Sequence, residues 1–155
     1  MGRIRSRVVS KAPVAELYRL GREVHSFTDM FPNLKEIKLL ESSEDGCYVK
    51  SEWTAQAKLI TQTRSMTWVQ EDRWDHDSKC CRFTCSSDNP GRFKKLDGTW
   101  FFKPHHSGAE MIMDVDFEID HPLMNPIVAK IIDNIMKMNN EHMLKVIKQK
   151  AESGE

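Results

Sequence analysis

The feature that most constrains this 155-residue chain is a change of hydrophobic period near its C-terminal end. Between Gly108 and Ile119, Met111, Met113, Val115, Phe117 and Ile119 alternate with Ile112, Asp114, Asp116 and Glu118. Period 2, broken on the polar face only by Ile112, is the pattern of a half-buried strand. Beyond His121-Pro122 the period changes. Residues 123–150 contain no glycine, and their one proline, Pro126, stands near the start. Ile127, Ile131, Ile135, Met138 and Val146 recur at helical spacing. A one-sided antiparallel sheet followed by one long amphipathic helix predicts that the helix lies across the sheet. Where the helix does not fill the concavity of a curved sheet, a pocket remains.

The upstream chain supplies the rest of the sheet. Residues 3–10 read as a first strand, with Ile4 and Val8 on one face. Lys11-Ala12-Pro13 opens a helix, since proline suits a first turn, and Val14, Leu17, Tyr18, Leu20 and Val24 give it an apolar side. A second short helix is expected over 26–30, ending before Phe31-Pro32. Strands follow at 34–41, 47–57, 62–74, 80–86 and 93–103, separated by turn-forming clusters at 42–46, 75–78, 87–91 and 104–108. The order is strand, two helices, six strands, long helix. It predicts a single α+β domain over 1–155, with a curved antiparallel sheet of about seven strands around the C-terminal helix.

Charge and cysteines narrow the function. Twenty-three basic residues balance 23 acidic ones, which argues against a partner held by a basic excess, such as nucleic acid. A transient membrane or protein contact stays open. No apolar run approaches the ~20 residues of a membrane span, and the charged N-terminus has no apolar signal core. Gly2 and Ser6 fit the loose myristoylation pattern only formally. Cys47, Cys80, Cys81 and Cys85 are expected to be free thiols of a cytoplasmic protein. Cys80, Cys81 and Cys85 with His76 have poor spacing for zinc, because adjacent strand residues point to opposite faces. No metal and no cofactor are expected, and no serine or cysteine triad, P-loop or dinucleotide fingerprint is present.

Several ordered pieces carry a family resemblance. They are Ala12-Pro13 with Glu16-Leu17-Tyr18, then Phe31-Pro32, and Trp68 with Glu71, Asp72 and Arg73. Leu96-Asp97-Gly98-Thr99-Trp100 and Asp114-Val115-Asp116-Phe117-Glu118 complete the set. Together they resemble the START-like helix-grip superfamily, and within it the polyketide cyclase/dehydrase and coenzyme Q-binding group. The resemblance spans residues 4–148. It implies a cavity between the sheet and the last helix that holds a hydrophobic or aromatic molecule. Members of that superfamily range from lipid and quinone carriers to aromatase/cyclases. The latter are pictured with a pocket arginine and a tyrosine, which fall here on Arg73 and Leu34. Leucine can neither donate nor accept a proton, so the resemblance implies binding or transport ahead of cyclisation.

Candidate site residues follow. On the strand 62–74, Arg64 and Trp68 share one parity, Glu71 and Arg73 the other, and one set faces the cavity. Facing inward, Arg73 with Glu71 as counter-charge would serve catalysis or hold a ligand oxygen. Facing outward, they form an exposed pair worth little. Trp53 and Trp100 agree in parity with the apolar faces of their strands and are expected to wall the ligand site, as Trp68 could. Met111, Met113 and Phe117 line the seventh strand's apolar face. Ile131, Ile135, Met138 and His142 are expected on the inner stripe of the last helix, beside Met124, Met136 and Met143. Nine methionines suit an adaptable apolar surface, or ordinary core filling. His142 could act as an acid or base; His105-His106 sit in a solvated turn. The leading expectation is a carrier of a small quinone, lipid or polyketide-like molecule. The alternatives are a cyclase/dehydrase and a protein-docking module.

Overall fold

A computed structural model describes residues 2–31, 33–59, 62–86, 93–120 and 125–153, with no description of the side chains of 57–59, 62 and 64. Met124, Pro32, the turn expected at 87–91 and the Arg64 side chain therefore lie outside the described residues.

Seven strands form one antiparallel sheet. They are β1 (Gly2–Ser10), β2 (Leu34–Ser42), β3 (Tyr48–Leu59), β4 (Gln62–Asp75), β5 (Cys80–Cys85), β6 (Phe93–His105) and β7 (Gly108–Ile119). The spatial order is β1-β7-β6-β5-β4-β3-β2. Strands 2 to 7 are a meander, and β1 returns to pair with β7, Ile4 opposite Val115. Helix α1 (Val14–Arg22) follows β1, and α2 (Pro126–Glu152) crosses the sheet. The short helix expected over 26–30 is instead two 3-10 turns, Val24–Ser26 and Thr28–Met30. Phe27, buried between them, anchors the break.

Alternation places one face of the sheet in the core. On β6, Leu96, Gly98, Trp100 and Phe102 are buried, and on β7 Met111, Met113, Val115, Phe117 and Ile119. The opposite face is charged: Arg5 pairs with Asp114 at 3.2 Å, and Arg7 with Glu110. Gly98 has a specific reason. It stands opposite Phe83 on β5, and a Cβ there would lie 2.1 Å from Cζ of the Phe83 ring. The missing side chain lets that ring lie flat over β6.

Helix α2 is capped at its start and tied to β1 at its end. Asn125 caps it, Oδ1 accepting from the amides of Ile127 and Val128 at 2.9 and 3.0 Å, with Pro126 at the favoured first position. At the far end Glu152 accepts from the Ser10 hydroxyl at 2.8 Å and the Lys11 amide at 3.0 Å. These bonds hold the Glu152 carboxyl below its usual range. They also tie the end of α2 to the end of β1.

The face that α2 buries differs from the expected one. Its buried residues are Ile132, Leu144, Val146, Ile147 and Ala151, whereas Ile127 is 70 % and Met138 65 % exposed. Ile132, Met136, Met143 and Ile147 each follow an expected stripe position by one residue, a rotation of about 100°, while Val146 of the expected stripe is buried as well.

Candidate ligand cavity

Both ends of α2 rest on the molecule, but its middle does not close onto the sheet. Between them lies a cavity of about 390 Å³. Strands β3 to β7 supply the floor, the turn after α1 one side, and α2 from Met136 to Lys145 the roof.

The floor is aromatic. All four tryptophans of the chain, Trp53, Trp68, Trp74 and Trp100, line it. Trp53 and Trp68 are cross-strand partners and stack, centroids 5.8 Å apart and planes 16° from parallel. Phe93 meets Trp68 edge-on at 5.3 Å. Trp100 packs against Trp74 and Phe102, centroids 5.9 and 4.9 Å away. Tyr18 of α1 braces this cluster edge-on, 5.5 Å from Trp74 and 5.4 Å from Phe102. Its hydroxyl donates to Nδ1 of His76 at 2.7 Å, while His76 Nε2 donates to the Asp45 carbonyl at 2.8 Å.

Polar groups interrupt the aromatic floor along one line. Trp53 Nε1 donates to Ser51 Oγ at 2.9 Å. One strand over, Trp68 Nε1 donates to Gln70 Oε1 at 2.8 Å, and Gln70 Nε2 donates to Asp72 Oδ1 at 2.8 Å. The Trp68–Gln70–Asp72 chain runs along alternate residues of β4, all facing the cavity. Burial pushes the Asp72 carboxyl up to about 7, against the lowering effect of the Gln70 amide. A second, water-sized space of about 20 Å³ adjoins Asp72, bordered by Arg22, His25 and Ser51. Trp100 Nε1 and Asn140 Nδ2 belong to lining residues and are buried with no hydrogen-bond partner among the described residues.

The parity of β4, which the sequence left open, follows from these positions. Residues 68, 70, 72 and 74 face inward, so Glu71 and Arg73 face outward. Glu71 accepts from the Tyr48 hydroxyl at 2.6 Å, and Arg73 lies 5.1 Å over the Tyr48 ring. Neither reaches the cavity, so neither can serve catalysis there. The inward charge is Asp72, which the sequence reading passed over.

Of the other candidates, Trp53, Trp100, Met113, Met138 and His142 line the cavity, the last two at its mouth. Met111 and Phe117 do not. Met111 is fully buried core, and the Phe117 ring fills the space where a side chain on Gly2 would be. Ile131 and Ile135 lie off the lining face because of the rotation of α2; Met136 and Met143 take their place. Leu34, at the tyrosine-like position, also lines the cavity. At the mouth, Asn33 Nδ2 donates to Asn139 Oδ1 at 3.0 Å, and Phe31 meets His142 edge-on at 6.2 Å. Among the described residues no cluster of metal-ligating side chains converges. Burial pushes the Cys81 thiol up at the cavity wall, and His76 is engaged as above.

Comparison with known proteins agrees with this geometry. The model of the family described as polyketide cyclase/dehydrase and lipid transport matches residues 10–144. The chain belongs to that family. No curated protein matches the sequence significantly. Among solved structures, a Thermus thermophilus protein superposes with a TM-score of 0.85 at 22 % identity, covering 99 % of each chain. The Streptomyces aromatase/cyclase Zhui gives 0.81 at 14 % identity, over 97 % of this chain and 93 % of that one. A START superfamily protein of Mycobacterium smegmatis gives 0.74 at 15 %, covering 99 % of each. At these identities the likeness shows a shared helix-grip fold. In this member of the family, the fold provides a tryptophan-walled cavity.

Proposed function

We propose that this protein binds and carries a small, flat apolar or aromatic molecule, of quinone, lipid or polyketide-like character, in the cavity under α2. The observation that carries the reading is a cavity of about 390 Å³ walled by every tryptophan of the chain. That volume falls in the ~300–1,000 Å³ range of small-molecule sites. Indole walls favour flat ligands by stacking, and Met113, Met136 and Met143 supply adaptable contacts. Among the described side chains, Leu34 and the outward Arg73 leave no arginine–tyrosine pair facing the ligand, which favours carriage over cyclisation. Four free thiols suit a reducing compartment, which supports a cytoplasmic site of action. No helix of the described residues is long and apolar enough to cross a membrane.

One observation favours a second reading, an enzyme of the cyclase/dehydrase class. Asp72 faces the cavity with a carboxyl that burial poises near neutrality, as a general acid or base requires.

Native mass spectrometry of gently purified protein tests the leading reading. The expected result is a complex heavier than the bare chain, releasing one small apolar molecule on denaturation. A bare-chain mass, together with no saturable binding of the neutral dye N-phenyl-1-naphthylamine, would overturn it. Turnover of a poly-β-keto substrate that falls further than affinity in Asp72→Asn would favour the enzyme.

A further inference from the structure

The proposed binding site contains a charge that the carrier reading leaves without a purpose. Asp72 is set among indoles on the inner face of β4. Among the described residues, the Gln70 amide is its one hydrogen-bond partner, on Oδ1. The relay points one way: indole N–H to amide oxygen, then amide N–H to carboxylate. Every dipole in it presents hydrogen to Asp72, so the line ends in an acceptor with lone pairs to spare. Among the described residues no cation answers it. Arg22, across the small adjoining space, is drawn over the Tyr18 ring, 5.1 Å from its centroid, and makes no ion pair with Asp72. Lys145 is exposed on α2 at the mouth. Carboxylates left this way in an apolar site are costly unless something pairs with them. Indole faces carry negative quadrupoles and attract organic cations.

We propose that the cavity selects a flat organic cation, a protonated or quaternary heteroaromatic amine, whose positive end pairs with Asp72 while its rings lie against the tryptophans. The proposal rests on the carrier reading and names its ligand class. The raised carboxyl adds a consequence: a cation in the cavity favours the ionised form, so its binding releases a proton near neutral pH. The other titratable or charged groups that face Asp72 are Cys81 from β5, Arg22 and His25 across the small space, and Glu141, His142 and Lys145 from α2 at the mouth. The comparison below therefore uses a substitution at Asp72 itself.

Two fluorescent probes of nearly the same shape separate the ideas: N-methylacridinium, a cation throughout the pH range of the test, and 9-methylanthracene, neutral throughout it. Their affinity ratio within one protein is the readout. At pH 8 the wild-type protein should prefer the cation tenfold or more. In Asp72→Asn, which keeps an acceptor for the Gln70 amide, the ratio should collapse to within about threefold of unity. The wild-type ratio should also collapse between pH 8 and pH 5, which needs no variant to fold. If both probes bind but the neutral one is equal or better at pH 8, or if the preference survives in Asp72→Asn, the cation proposal is wrong and the carrier reading stands. If neither probe binds, the carrier reading fails and the ligand class falls with it.

Discussion

A carboxyl group held among indoles costs the folded protein something whenever it is charged. Asp72 is raised from an ordinary 3.8 to about 7, chiefly by burial. Between those two values the native chain keeps a proton that the unfolded chain has already lost. Stability linked to this group is therefore complete below about pH 4 and declines as pH rises through about 7. Asparagine has no charge to bury. Asp72→Asn should thus unfold at higher denaturant than wild type at pH 8, by about 1–3 kcal/mol, with the gap closing by pH 4. Equal pH dependence in the two proteins would mean that Asp72 is solvated and unperturbed. The residue was legible but passed over. Arg73 draws attention by its charge, yet Trp68 and Trp74 lie on the other parity of the same strand, together with Asp72. Two tryptophans on one face outweigh a single arginine as a sign of which face is dry. What the sequence could not carry was the Trp68–Gln70–Asp72 relay, which depends on side-chain rotamers.

At the scale of elements, strands were easier to read than the long helix. Period-2 alternation has two phases, and on β3, β6 and β7 the apolar phase is nearly unbroken, so their inner faces follow directly. Helix α2 carries apolar residues around much of its circumference, including exposed Ile127 and Met138. Its phase is set by where it touches the rest of the molecule: Glu152 tied to Ser10 and Lys11, and Ile132 and Ile147 packed into the core. Those contacts are non-local and leave no mark in the helix's own sequence. The 3-10 turns were missed for a similar reason, because Phe27 is drawn inward between them. The phase of α2 is testable by a paired truncation. Ile132→Ala should cost about 2–4 kcal/mol in urea unfolding, as buried isoleucines do. Ile135→Ala, one turn along on the flank, should cost less than half as much. The reverse order would mean that the helix is rotated back by one residue.

For the whole molecule, the sheet, the crossing helix and the cavity form one device. The meander brings aromatic residues from β3, β4, β5 and β6 onto one concave face. Helix α2, packed on the core through Ile132 towards one end and Ile147 and Ala151 towards the other, roofs that face and leaves its middle clear of it. The order of elements was readable because each has its own period, and the cavity was readable as a consequence of that order. Its chemistry was not, since the lining depends on strand parity and helix phase together. The most direct test of the cavity uses the tryptophans as reporters. Because all four line it, a molecule inside lies close to every tryptophan in the protein. Titration with N-phenyl-1-naphthylamine, which absorbs where tryptophan emits, should quench most of the intrinsic emission, saturating at one dye per chain. Dye binding that leaves the tryptophan emission essentially unchanged would place the ligand elsewhere on the protein and contradict the account.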